Sequence, residues 1–140
     1  VVLDSELRVE PNARLFWSQD PVLIFHSCRS SLRNFPNPKA CELIKVGRGT
    51  GGLDWKDILN ELGKRCINSL LIEGGGEVAA SLLGSNFLQR MLLFYAPKII
   101  GEEGVSGFGS LGVSRLSEAY QVSFSRIQRV GDDFLVEVRF

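Results

Sequence analysis

The chain has 140 residues, 44% hydrophobic and 23% charged, with 16 Lys plus Arg balanced by 16 Asp plus Glu. This is an ordinary soluble globular mix, long enough for one domain with a core, and zero net charge argues against the basic surface a nucleic-acid binder needs. No apolar run approaches the roughly 20 residues of a membrane span, and no secretory signal is visible.

Val1-Val2-Leu3 reads as a strand ending at Asp4-Ser5. The chain opens on this strand without a methionine, so a piece of a longer product is expected. Residues 6 to 20 form a mixed loop with Pro11 and Asn12. Pro21-Val22-Leu23-Ile24-Phe25 is a second buried strand that ends at His26-Ser27, since proline is tolerated where a strand opens. Residues 29 to 38 are basic and hold Pro36 and Pro38, which suits a loop or short helical turn. Cys41, Leu43 and Lys45 alternate with Glu42, Ile44 and Val46 in a third strand. Gly47 to Gly52 reads as a flexible connection. Asp54 is placed as an N-cap, and Trp55, Ile58, Leu59 and Leu62 follow at amphipathic helix spacing, with Gly63 weakening the last turn. Ile67 to Ile72 is the fourth strand, a helix runs from Gly76 to about Phe87, and Met91 to Tyr95 is a fifth strand stopped by Pro97. Residues 101 to 117 form a long irregular loop of the kind often kept for function. The end is a hairpin. Val122 and Phe124 alternate on one arm, and Phe134, Val136, Val138 and Phe140 on the other, with Gly131-Asp132-Asp133 as the turn. Ile127 is out of phase with Phe124, which predicts a bulge near Arg126.

Strands alternating with helices predict an α/β fold with a mainly parallel sheet and an antiparallel hairpin added at an edge. Cys28, Cys41 and Cys66 are odd in number, far apart and without a C-x-x-C, so neither structural zinc nor a disulfide framework is expected. They read as buried free thiols in a reducing compartment.

One segment points to a ligand type. Leu70-Leu71-Ile72 ends in Glu73 and three glycines, Gly74, Gly75 and Gly76, and helical spacing then puts Val78, Ala79, Leu82 and Leu83 on one face. Strand, glycine turn and helix start present bare backbone N–H groups to a phosphate, and the helix dipole favours its charge. The plainer alternative is a tight turn in which glycine merely permits positive φ. Asp4-Ser5, His26-Ser27 and Glu73-Gly74-Gly75 all fall at predicted strand ends, where ligands of open α/β sheets gather.

Three segments together resemble one family: Val1-Val2-Leu3-Asp4-Ser5 with Leu7-Arg8, Ile67-Asn68-Ser69-Leu70-Leu71-Ile72-Glu73-Gly74-Gly75, and Tyr95-Ala96-Pro97-Lys98-Ile99-Ile100-Gly101. They resemble the reductase domain of riboflavin biosynthesis, the C-terminal half of a bifunctional deaminase–reductase whose fold is dihydrofolate-reductase-like. The resemblance implies NADPH-dependent reduction of 5-amino-6-(5-phosphoribosylamino)uracil to the ribitylamino compound, by hydride delivery to a ring-opened imine, with this chain carrying the cofactor-binding part. By the motif match, Gly75, Gly76, Glu77, Val78, Ala79, Ala80 and Ser81 line the cofactor diphosphate through backbone donors, Ser5 sits on the cofactor and Glu73 faces the substrate. A cis peptide between adjacent glycines, a homodimer, a cytoplasmic setting, a fused deaminase domain and a missing N-terminal part of the reductase domain are further implications. No metal site is implied, because this chain has neither H-x-E nor P-C-x-x-C.

A carboxylate at Glu73 suits the chemistry, since an imine accepts hydride better when protonated and an acid stabilises that cation. A structural alternative is an acid complementing the helix dipole. Arg8, Ser27 and Arg29 are candidates for the cofactor 2′-phosphate. His26, the only histidine, reads as a structural hydrogen bonder, Trp17 and Trp55 as packing residues, and Lys98 carries no assigned role. Two other functions stay open: a related oxidoreductase with a different substrate, and a non-catalytic binding or assembly module.

Overall fold

The computed structural model describes residues 1–17, 20–28 and 41–140, so the basic stretch at 29–38 and Arg29 within it lie outside the described residues. The chain divides into two compact units, Val1–Ile72 and Glu73–Phe140.

The first unit is built on three parallel strands, β1 (Val2–Leu3), β2 (Val22–His26) and β3 (Cys41–Lys45), in the order β1-β2-β3. A parallel strand between two neighbours is covered on both faces, and Ile24 and Phe25 of β2 are fully buried. Burial of such side chains contributes about 1.5–3 kcal/mol each. The ladder runs past the strand ends, where Asp4 N donates to Phe25 O (2.9 Å) and Val46 N to His26 O (2.9 Å).

The glycine-rich stretch after β3 is more ordered than its composition suggests. β4 (Arg48–Gly49) and β5 (Gly52–Leu53) pair antiparallel around Thr50-Gly51. Gly51 at φ 80° and Gly52 at φ 147° take up backbone conformations that side chains disfavour. Asp54 then caps α1 (Trp55–Lys64), its carboxylate accepting from Lys56 N (2.8 Å) and Asp57 N (3.3 Å). Trp55, Ile58 and Leu62 are buried along one stripe. Asp57 accepts from Gly47 N (2.9 Å), and Arg65 pairs with Glu42 of β3. The helix closes in a Schellman arrangement: Cys66 N donates to Gly63 O (2.9 Å) and Ile67 N to Leu62 O (3.1 Å). Cys66 takes the left-handed position at φ 58° and is exposed, so its thiol is not the buried one expected.

Residues 67–72 are not a strand among the described residues, contrary to the sequence expectation. Leu71 is 77% exposed. A strand exists only through a hydrogen-bonding neighbour, and no described strand pairs with this segment.

The second unit contains α2 (Gly76–Gly84) and three strands, β6 (Arg90–Tyr95), β7 (Ser123–Val130) and β8 (Asp133–Arg139). α2 stops before the expected Phe87. Ser85 Oγ donates to Leu82 O (2.6 Å), and Asn86 enters the left-handed region at φ 60°. Its buried residues are Ala80, Leu82 and Leu83. The strands form an antiparallel sheet in the order β6-β8-β7, with Met91 opposite Val138 and Tyr95 opposite Phe134. β6 therefore pairs with the hairpin instead of continuing a parallel sheet. The hairpin follows the reading closely. Gly131 turns it at φ 62°, and the register shifts between Phe124 and Arg126, leaving Ser125 bulged. The long connection from β6 to β7 is irregular except for a 3-10 turn at Leu116–Glu118.

Candidate functional site

In the first unit the carboxyl ends of β1, β2 and β3 bring together Asp4, Ser5, His26, Ser27 and Arg48. Asp4 accepts from Val9 N (2.7 Å), which folds the chain back after β1. Ser5 O accepts from both Ser27 N (3.1 Å) and Ser27 Oγ (3.3 Å). Arg48 Nε donates to Ser27 Oγ (3.0 Å), and its guanidinium pairs with Glu6. Arg48 was missed in the sequence because it sits in a glycine-rich stretch. Its signal was position, since it follows the end of β3 by three residues. Arg8 is exposed nearby in sequence.

His26 is buried, and its Nδ1 lies 3.4 Å from Cys28 Sγ. Burial holds its pKa below the usual 6.5, Lys45 lowers it further, and Asp4 opposes both. The unfolded chain thus takes up more protons at His26 than the native chain does. Its contribution to stability is complete above about pH 6.5 and is lost as the pH falls through the lower native value. Thermal melts at about pH 7.5 and about pH 5 should show a larger acid loss of Tm in the native sequence than in His26→Gln. Equal losses would remove His26 as the source. The structural role read for His26 fits this buried pair. Trp55 packs as expected, whereas Trp17 is 74% exposed, because it follows a short 3-10 turn at Arg14–Phe16 and belongs to no element with a buried face.

In the second unit, Gly75 is the N-cap of α2 at φ −72° and ψ 176°, and it has no side chain to cap the helix. The N–H groups at the start of a helix lack helical acceptors, so Gly75, Gly76, Glu77 and Val78 offer main-chain donors at its positive end. Ala79 N already donates to Gly75 O (3.1 Å). Ala79, Ala80 and Ser81 therefore lie beyond the free donors. Ala80 is buried, and Ser81 Oγ donates to Val78 O (3.0 Å). No cis peptide is present among the described residues, so the expected one between glycines is absent. The extended backbone of Gly75 carries the chain into α2 through trans bonds.

The three glycines have different reasons. A Cβ on Gly74 would lie 2.8 Å from Val78 Cβ. One on Gly76 would lie 2.9 Å from Gly109 N and from Ser106 O, because the 106–109 loop is pinned there by Gly109 N donating to Gly76 O (2.8 Å). One on Gly75 would meet nothing within 4 Å. The fold explains two of the glycines and leaves open space at the third, beside the bare donors. Main-chain donors at a helix start with open space beside them are the arrangement that suits a phosphate group. Glu77 adds a first-turn acid, and its carboxylate stands against Gly109. Glu73 precedes the glycines and is exposed.

The second unit also holds an apolar cavity of about 420 Å³, lined by Met91, Leu93, Phe108, Val122, Val138 and Phe140 among others. Tyr95 and Tyr120 are the polar side chains of its lining, which suits packing more than a charged nucleotide. Among the described residues no group of three His, Cys, Asp or Glu is placed to hold a metal ion, and no helix is long and apolar enough to cross a membrane.

Comparison with known proteins places these features in a lineage. A family model described as the RibD C-terminal domain matches residues 1–136. The riboflavin biosynthesis protein RibD of Haemophilus influenzae is 29% identical over 133 residues, covering 95% of this chain and 34% of that protein. A 2,5-diamino-6-ribosylamino-4(3H)-pyrimidinone 5′-phosphate reductase of Archaeoglobus fulgidus is 29% identical over 144 residues, covering all of this chain and 62% of that protein. The crystal structure of a diaminohydroxyphosphoribosylaminopyrimidine deaminase/5-amino-6-(5-phosphoribosylamino)uracil reductase of Thermotoga maritima superposes with a TM-score of 0.71 at 26% identity, covering 98% of this chain and 36% of that one. The chain thus spans about a third of the length of the RibD relatives it matches. The expected α/β class and dihydrofolate-reductase-like relationship hold.

Proposed function

This chain belongs to the RibD C-terminal domain family, and on that premise we propose that it carries the cofactor-binding part of an NADPH-dependent reductase acting on 5-amino-6-(5-phosphoribosylamino)uracil in riboflavin biosynthesis. The observation that supports this reading most is the cradle at Gly75. Bare N–H groups open a helix there, at a glycine whose missing side chain the fold does not require. Backbone donors and a helix dipole suit a diphosphate, the central group of a nicotinamide dinucleotide.

When bound, NADPH would supply the hydride that the ring-opened ribose carbon receives. The chain's own groups bind, orient and stabilise. Gly75, Gly76, Glu77 and Val78 would hold the cofactor diphosphate through main-chain N–H groups, and the helical residues Ala79, Ala80 and Ser81 behind them keep those donors aligned. Ser5 contributes to cofactor binding. The Glu73 carboxylate faces the substrate and favours the cationic, protonated imine that accepts hydride. The names of the relatives place either a uracil or a diaminopyrimidinone on the ribosylamino phosphate. The role of Glu73 is the same for both rings, since it acts at the sugar carbon. A homodimer, a deaminase domain in the same polypeptide and a cytoplasmic setting belong to the same proposal.

The test is NADPH oxidation by the full-length polypeptide that contains this chain, with and without the uracil substrate and with NADH run alongside. Substrate-dependent oxidation that prefers NADPH is expected. A folded protein that oxidises neither nucleotide in the presence of substrate would overturn the reading in favour of a binding or assembly module.

A further inference from the structure

The ends of the parallel strands in the first unit hold an arginine arranged as an anion receptor. Ser27 Oγ donates to Ser5 O (3.3 Å) and accepts from Arg48 Nε (3.0 Å), so a hydroxyl that is itself held by a main-chain carbonyl fixes one edge of the guanidinium. Among the described residues, the carboxylate of Glu6 meets the other edge. The remaining acids near these ends are engaged by main-chain N–H groups: Asp4 by Val9, Asp54 by Lys56 and Asp57, and Asp57 by Gly47. The Arg48–Glu6 pair is largely exposed, at 63% and 50% of the side chains, and such pairs add little to stability. Its loss would cost the fold little.

Carboxylate and phosphate present the same paired-oxygen geometry to an arginine fork. We infer that Arg48, oriented by Ser27, is the receptor for a phosphate monoester, and that Glu6 occupies the place of that phosphate when no ligand is bound. A monoester carries close to two negative charges at neutral pH and displaces a single carboxylate. Open parallel sheets receive ligands at these carboxyl ends. Two sources supply the group, the 2′-phosphate of NADPH and the 5-phosphate of the ribosylamino substrate. That choice of sources rests on the function proposed above, whereas the receptor itself does not.

Two fragments separate the sources. Adenosine 2′-monophosphate stands for the cofactor and ribose 5-phosphate for the substrate. Binding of each to the purified protein would be followed by NMR titration, with adenosine and ribose as unphosphorylated controls. Arg48→Ala is expected to weaken one phosphorylated fragment by about tenfold or more, the effect of losing a charge-assisted hydrogen-bond pair, and to leave its control unchanged. Glu6→Ala, which frees the fork, is expected to tighten the same fragment several-fold. A loss confined to adenosine 2′-monophosphate assigns the receptor to the cofactor, and one confined to ribose 5-phosphate assigns it to the substrate. Both phosphorylated fragments binding Arg48→Ala as they bind the native protein would overturn the inference. So would neither fragment binding the native protein. If phosphate binding depends on Arg48 while the native protein shows no substrate-dependent NADPH oxidation, the receptor stands and the proposed function falls.

Discussion

Replacing Glu73 by glutamine is expected to lower kcat by about a hundredfold or more, in the range by which a positioned acid–base group accelerates a reaction. The amide has nearly the shape of the carboxylate but no charge. It cannot stabilise the protonated imine, whose positive charge the substrate must carry when it accepts hydride. That interaction is strongest as the cation forms, so the loss should fall on kcat and leave NADPH affinity nearly unchanged. The competing role for Glu73 is electrostatic and structural. It precedes the N-cap Gly75 by two residues, near the positive end of α2. An acid there contributes roughly 0.3–1 kcal/mol, and an exposed side chain adds little packing. The two roles give different results. A structural acid would show a small change in Tm with unchanged turnover. A catalytic acid would show unchanged Tm with turnover nearly abolished, and Glu73→Asp would recover part of it. Steady-state kinetics beside a thermal melt of each variant decides. Turnover by Glu73→Gln equal to that of the native protein would sink the assignment.

How far the sequence discloses this fold depends on whether the controlling physics is local. The strands β1 and β2 were legible as short apolar runs closed by polar residues, and β3 as an alternating stretch ended by glycine. α1 was legible because its stripe and its Asp54 cap are written within ten residues, and the bulge at Ser125 because Ile127 breaks the alternation. The segment 67–72 has the same apolar character as β2, yet it lacks a ladder among the described residues. Composition does not name a strand's partner. The antiparallel pairing of β6 with β8 was unreadable for the same reason. The β4–β5 hairpin was hidden by glycines, which give no periodicity, although Thr50-Gly51-Gly52 is the kind of sequence a tight turn requires. The end of α2 was present in Gly84-Ser85-Asn86 but lay inside a pattern that continued to Phe87. In the candidate site, the glycine motif and Glu73 were legible as a contiguous string. Arg48 was not, because its partners Ser27 and Glu6 come from distant parts of the chain.

The glycines before α2 provide a test of whether that string is built for the fold or for a ligand. Gly75→Ala is expected to fold as the native chain does, since φ −72° and ψ 176° are open to any residue and its Cβ would meet nothing within 4 Å. Alanine restricts the unfolded chain more than glycine but is the poorer N-cap, so the two effects oppose each other and Tm should change little. The same methyl group would project into the space beside the free N–H groups at the start of α2. A diphosphate held at hydrogen-bond distance from those groups would have to retreat, and charge-assisted bonds weaken steeply with distance. NADPH affinity should fall by roughly tenfold or more, the equivalent of one such bond. Gly74→Ala and Gly76→Ala serve as contrasts. Each would place its Cβ within 3 Å of Val78 or of the 106–109 loop and should lower Tm whether or not a ligand binds. A turn built only for folding would make all three glycines replaceable or not on packing grounds, and Gly75→Ala would then bind NADPH like the native protein. Calorimetric titration with NADPH, beside a melt of each variant, separates the cases. Lost affinity with retained stability at Gly75 alone would tie the open space to the cofactor, while unchanged affinity would return the motif to the status of a tight turn.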